Sequence, residues 1–169
     1  MINFDQLTAY KQIPNQLDGK CFACGPIHPM GLHMVFYTDE TFVFSRLEVP
    51  AHFAGWSDLV HGGLTATILD ETLAWTAIYK KQSFILTKSL QVDYLRPLHV
   101  NQTIYSLGSI KEVLSDRELL MEAKIFNREM KLAAKAEGKI VLFSLEEMKE
   151  RKIIDESYLL DFQNVVFSK

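Results

Sequence analysis

The spacing of apolar and polar positions changes along this chain, and the change marks out its elements. Between residues 60 and 80, VHGGLTATILDETLAWTAIYK, apolar side chains recur at helical spacing. At about 100° per residue, Leu64, Ile68, Trp75 and Ile78 fall on one side as a bulky ridge. The other side carries Gly63, Ala66, Asp70, Ala74 and Ala77, so small neighbours leave room beside the Asp70 carboxylate, whereas Glu71 falls among the bulky residues. Before this helix, apolar runs at 32–37 and 41–49 flank Thr38-Asp39-Glu40 and predict a β-hairpin. Beyond it, strands are predicted over 84–95, 100–113 and 117–127. In the first of these Leu86, Leu90, Val92 and Tyr94 share one parity and Thr87, Ser89, Gln91 and Asp93 the other, the alternation of a half-buried strand. A turn at 127–130 leads to a last strand, 132–145, where alanines and Gly138 suggest a bend or bulge. Residues 1–20 read as a short amphipathic helix (Phe4, Leu7, Tyr10, Lys11) with a polar link, and 146–152 as a short charged helix; the tail to Lys169 has no assigned element. A hairpin, one long helix and a run of strands joined by short turns predict an α+β fold, an antiparallel sheet curled around a single helix.

With 169 residues, 48% hydrophobic side chains and a net charge of −3, the chain suits one globular domain with a real core. Its central portion is expected to span 21–145, with extensions at 1–20 and 146–169. Asp70, Glu71 and several threonines interrupt the most apolar helix, so no membrane span is expected. The segment MINFDQLTAYKQ lacks the basic start and apolar run of a signal peptide, which leads us to expect a cytoplasmic protein. A slightly acidic balance argues against a nucleic-acid partner, which would require a basic face.

Two features carry chemistry. Gly62-Gly63 is a poor helix interior but a good helix start, because without Cβ atoms a ligand can approach the unpaired N–H groups of the first turn. Seven residues on, about 10 Å along the axis, Asp70 is too far from that end to be held by the helix dipole. A carboxylate at such a site must be paired, protonated or solvated in a cleft, either as a satisfied core aspartate or as a catalytic group. The second feature is CFACGPIHPMGLHM, which can be read as Cys-x2-Cys-x3-His-x4-His with Cys21, Cys24, His28 and His33, a legitimate set of zinc donors. Usual spacings place the second ligand pair further away, and Gly25, Pro26, Pro29 and Gly31 make the loop rigid by themselves, so it is read as a structural knuckle and no metal is assigned.

The stretch His61-Gly62-Gly63-Leu64-Thr65-Ala66-Thr67-Ile68-Leu69-Asp70-Glu71 resembles the hotdog-fold acyl-CoA thioesterases, specifically the phenylacetyl-CoA type. Tyr94-Leu95-Arg96-Pro97 after the helix, and the leader Cys21-Phe22-Ala23-Cys24-Gly25-Pro26 with Gly31-Leu32, extend the likeness over roughly residues 20–145. The resemblance implies a sheet wrapped around the helix and subunits paired side by side in a homodimer or homotetramer, with active sites at the interface. It also implies an acyl-CoA substrate and no cofactor. Asp70 matches the catalytic carboxylate, as general base or as nucleophile, and the Gly63 amide matches the group that polarises the thioester carbonyl. The resemblance places Thr87 where relatives position the water. The strand's parity turns Thr87 away from the apolar face, so such a role requires a bulge or a partner's helix. Some relatives carry an asparagine or glutamine six residues before the motif histidine; here that position is Gly55. His61 is expected to shape the loop at the helix start, beside Gly62. Trp56 is expected in a lid or pocket wall, and Arg96 and Lys88, with Lys80 and Lys81, near the phosphates of coenzyme A.

Two other readings share the fold. A hydratase or dehydratase would pair a catalytic histidine with the acid on the helix, and no histidine stands there. A non-catalytic acyl-CoA sensor would be expected to lose the carboxylate or gain a DNA-binding segment. Phe53, Trp56, Trp75, Phe84 and Tyr94 are candidate pocket aromatics, equally consistent with plain core.

Overall fold

The computed structural model describes residues 2–4 and 6–167; Met1, Asp5, Ser168 and Lys169, which belong to the two predicted extensions, lie outside the described residues. A two-residue strand β1 (Lys11–Gln12) precedes the hairpin β2 (Phe36–Thr38) and β3 (Val43–Glu48). Helix α1 (Gly62–Lys81) follows, then β4 (Phe84–Tyr94), β5 (Thr103–Ser115), β6 (Glu118–Phe126) and β7 (Leu132–Phe143), and the chain closes with α2 (Leu145–Glu150) and α3 (Glu156–Val166). All strand pairs are antiparallel in the order β1-β2-β3-β5-β6-β7-β4. The long strand β4 therefore lies at one edge of the sheet.

The sheet wraps α1 as its alternation predicts. Val43, Ile104, Leu119, Met121, Ile125 and Ile140 turn inward and enclose the helix residues Ile68, Leu69 and Leu73, all fully buried or nearly so. Thr65, Thr72 and Thr76 also lie on the buried side of the helix. Thr72 Oγ1 donates to the Ile68 carbonyl at 2.7 Å and lies 2.9 Å from the Ser106 hydroxyl, while Thr76 Oγ1 donates to the Thr72 carbonyl at 2.6 Å. These bonds satisfy hydroxyls that would otherwise be costly to bury. Gln82, in the left-handed conformation at φ 50°, stops the helix and donates its N–H to the Ile78 carbonyl.

Three expectations need correction or completion. The amphipathic helix expected over 1–20 is a single short turn, Leu7–Ala9, and Phe4 and Tyr10 pack on Phe44 of the sheet's outer face. A sheet with apolar residues on both faces gave those side chains a surface to cover that needed no helix. The bend or bulge suggested by the alanines and Gly138 of the last strand lies at the alanines: Ile125 pairs with Ala134 and Phe126 with Leu132, leaving Ala133 as an extra residue of β7, whereas Gly138 pairs in register with Leu90 and Met121. Gly138 is instead a close-approach position, where a Cβ would stand 2.8 Å from Leu73 Cδ1. Finally, the unassigned tail forms α3, capped by Asp155, whose carboxylate accepts the Ser157 N–H. Its Phe162 packs against Trp75 and Phe84, covering the far end of α1.

Candidate active site

Helix α1 begins at a sharp turn. His61 caps it, its Nδ1 accepting the Gly63 N–H at 2.9 Å. Tyr94, at the end of β4, reaches back and donates its hydroxyl to the Gly62 carbonyl at 3.0 Å. A Cβ at Gly62 would rest against the Tyr94 ring, 3.7 Å from Cε1, and one at Gly63 would press on the His61 ring at 3.1 Å. The glycine pair thus lets a phenol ring and an imidazole close over the helix start, and His61, Gly62 and Gly63 remain exposed. The Gly63 amide is occupied by His61, so a carbonyl accepting from it must first displace the imidazole.

Asp70 departs from the buried setting implied by a helix inside a sheet. It is only partly buried, as are Ala66, Thr67 and Ala74, so among the described residues that face of the helix is left incompletely covered. Thr87 Oγ1 donates to Asp70 Oδ1 at 2.8 Å. Alternation alone points Thr87 away from the helix. The bulge reverses that: Thr87 pairs with Ile140 and Ser89 with Lys139, leaving Lys88 as the extra residue, so that the strand rotates locally and brings Thr87 over the helix.

No protein-family model matches the sequence, and no curated protein matches it. Solved structures do. A thioesterase superfamily protein matches with a TM-score of 0.66 at 21% identity, covering 72% of this chain and 60% of that one. This chain therefore matches less than two thirds of that protein's length. PaaI of E. coli, from the phenylacetic acid degradation operon, matches with a TM-score of 0.61 at 20% identity, covering 67% of this chain and 81% of that one. A hypothetical thioesterase of Streptococcus pneumoniae solved with coenzyme A matches with a TM-score of 0.55 at 16% identity, covering 62% and 82%. The chain has the hotdog fold.

Within this hotdog, the other residues singled out in the sequence scatter. Trp56 is 87% exposed, in the loop before the helix, so it forms no pocket wall in the single chain. Lys88 pairs with the Glu118 carboxylate at 3.1 Å, and Arg96 donates to the Leu132 carbonyl. Lys80 donates to the Glu40 carbonyl. A cavity of about 660 Å³ lined by Phe4, Phe42, Tyr105, Leu107 and Phe126 lies on the sheet's outer face, away from Asp70, and is no substitute for the open helix face. No helix among the described residues is long and apolar enough to cross a membrane.

Glu71, the carboxylate that fell among bulky residues, has a site of its own. Trp75 Nε1 donates to its Oε1 at 3.1 Å, and the Cys21 Sγ lies 3.7 Å from the same oxygen. Removal from water pushes the Glu71 carboxyl up to about 7. The Cys24 thiol, donating to the Cys21 sulfur, is the main cause that holds Cys21 down to about 5, and Cys24 itself is pushed up by the same bond. His28 and His33 take no part. His28 Nδ1 accepts the Met30 N–H at 3.2 Å and His33 Nδ1 lies 3.0 Å from the Gly25 carbonyl. Chain order could not reveal this cluster, because Cys21 and Glu71 are 50 residues apart.

Proposed function

We propose that this protein is an acyl-CoA thioesterase, releasing a carboxylic acid and free coenzyme A, with Asp70 as its catalytic carboxylate. The observation that carries the reading is the Asp70 carboxylate itself, held by Thr87 on a partly exposed helix face, at the far end of which the exposed Gly63 amide is covered only by the His61 imidazole. Hydrolysis of a thioester needs a donor aimed at the developing oxyanion and a base or nucleophile beside the carbonyl carbon. A helix N-terminus supplies the donor without a charged side chain. The fold is shared with proteins named as thioesterases, one of them solved with coenzyme A.

Distance determines how the two groups meet. Seven residues separate Gly63 and Asp70, about 10 Å of helix axis, and a thioester carbonyl cannot touch both within one chain. Two antiparallel helices about a twofold axis bring Asp70 of one subunit beside the partner subunit's Gly63, and the unpaired edge of β4 supplies the strand that such a pair would join. A homodimer, alone or within a tetramer, therefore completes each site. Asp70 then activates a water on the carbonyl, or attacks it to form an anhydride that water opens. His61 leaves the amide as the carbonyl arrives, and Thr87 fixes the carboxylate's orientation. Trp56, exposed in the single chain, together with Lys88 and Arg96, is placed by this reading near the mouth of the shared site.

Release of free thiol from short, medium, long and aryl acyl-CoA thioesters tests the reading. Turnover on at least one class is expected; a folded dimer that binds coenzyme A without turning over any thioester would leave a sensor in its place. Thr87→Val keeps the shape but removes the bond to Asp70, and kcat/KM should fall about tenfold, the worth of one hydrogen bond to a charged group. Thr87→Ser should restore most of it. Equal losses in both variants would remove the hydroxyl from the mechanism.

A further inference from the structure

We propose that Cys21, Cys24 and Glu71 bind a zinc-class divalent ion that ties the leader loop to the helix carrying Asp70. The three donor atoms already converge: the two sulfurs and a carboxylate oxygen all lie within 4.8 Å of one another. With bonds of about 2.3 Å to sulfur and 2.1 Å to oxygen, two ligands of a tetrahedral zinc stand about 3.6 Å apart. The Cys21 Sγ to Glu71 Oε1 separation is 3.7 Å, so an ion enters with little movement of either group. Two thiolates and one carboxylate suit a borderline-soft ion far better than magnesium or calcium.

The surroundings have the form of a ligand cradle. Residues 21–25 form a tight knuckle, in which the Gly25 N–H donates to the Cys21 carbonyl at 2.8 Å. Gly25 must be glycine here, since a Cβ would stand 2.4 Å from the Gly19 carbonyl oxygen and 2.5 Å from the Cys21 nitrogen. Two further bonds, Leu32 N–H to the Phe22 carbonyl and Met34 N–H to the Ala23 carbonyl, brace the knuckle from behind. On the helix side, Trp75 Nε1–H orients the carboxylate, as an outer-shell donor does for a metal ligand. Glu71 also has no lysine, arginine or histidine among the ion pairs of the described residues. A carboxylate turned inward beside two sulfurs and an indole lacks a counter-charge, and a divalent cation supplies it. A disulfide between the two cysteines would leave that carboxylate without one, which is why the geometry favours a metal over a redox pair. Cys21 is exposed, so the fourth position opens to solvent and suits a water.

Protein purified in reducing buffer without chelator should carry about one zinc per chain by elemental analysis. Stripped wild-type protein given Co²⁺ should develop sulfur-to-cobalt charge-transfer absorption. Cys21→Ser, at an exposed position, should lose both signals while keeping its far-ultraviolet spectrum. Glu71→Gln still accepts from Trp75 and should hold the ion at least about tenfold more weakly. Three results would overturn the proposal: wild-type protein with no metal and no cobalt band, an intramolecular disulfide formed readily in its place, or zinc retained undiminished in Cys21→Ser.

Discussion

Asp70→Asn should lower thioester hydrolysis by about a hundredfold or more in kcat, with coenzyme A binding and thermal stability little changed. The substitution is close to isosteric, and the asparagine side-chain oxygen can still accept from Thr87 Oγ1, so the 2.8 Å bond survives while the negative charge and basicity are lost. A hundredfold loss corresponds to about 2.7 kcal/mol of transition-state stabilisation, well above the effect of a neutral packing change at a partly buried position. A fall smaller than about threefold would remove Asp70 from the chemistry, whatever the fold suggests. The same variant tests the composite site. Gly63→Pro removes the amide donor in the first turn, where proline is tolerated, and should also be nearly inactive. Mixing the two dead variants by unfolding and refolding together yields about half mixed dimers, each with one intact site, so about a quarter of wild-type activity should return. If Asp70 and Gly63 acted within one chain, no activity would return.

Helical spacing and strand alternation made the architecture legible because both follow directly from which faces are buried. The helix expected over 60–80 is Gly62–Lys81, and the strand expected over 84–95 is Phe84–Tyr94. Where the chain departs from a regular period, pattern was a poorer guide. Thr87 has the wrong parity for contact with the helix, and one inserted residue, Lys88, turns it around. A single register shift leaves no mark in the hydrophobicity of an edge strand whose side chains are mostly exposed. The tail helix was legible and passed over: Asp155 at its cap, then Leu159, Phe162 and Val166, carry both the start signal and the apolar stripe. The cluster at Glu71 was not legible: the pattern placed Glu71 among bulky residues, but only the fold brings the cysteines to it across 50 residues of chain.

Gly108→Ala should destabilise the protein by about 3 kcal/mol, seen as a fall of about 10 °C in the unfolding midpoint. Gly108 sits mid-strand in β5, paired with Val43 on one side and Ala123 on the other, so the backbone is held from both edges. A Cβ there would stand 2.3 Å from Thr76 Oγ1, 3.0 Å from the Thr72 carbonyl oxygen and 3.1 Å from Thr72 Cγ2. Neither threonine can yield cheaply. Thr76 is fully buried with its hydroxyl committed to the Thr72 carbonyl, and Thr72 is held by both the Ile68 carbonyl and Ser106. The remaining escape is for α1 to lift from the sheet, at the expense of contacts along the whole core. Combining Gly108→Ala with Thr76→Ala removes the nearest obstacle, and the pair should be less destabilised than the sum of the two single changes by about 1 kcal/mol or more. Strict additivity would mean that the strand accommodates the methyl group without touching the helix. Because Asp70 lies only two residues before Thr72, a lifted helix also lengthens its bond to Thr87, and kcat should fall in Gly108→Ala at temperatures where the protein is still folded.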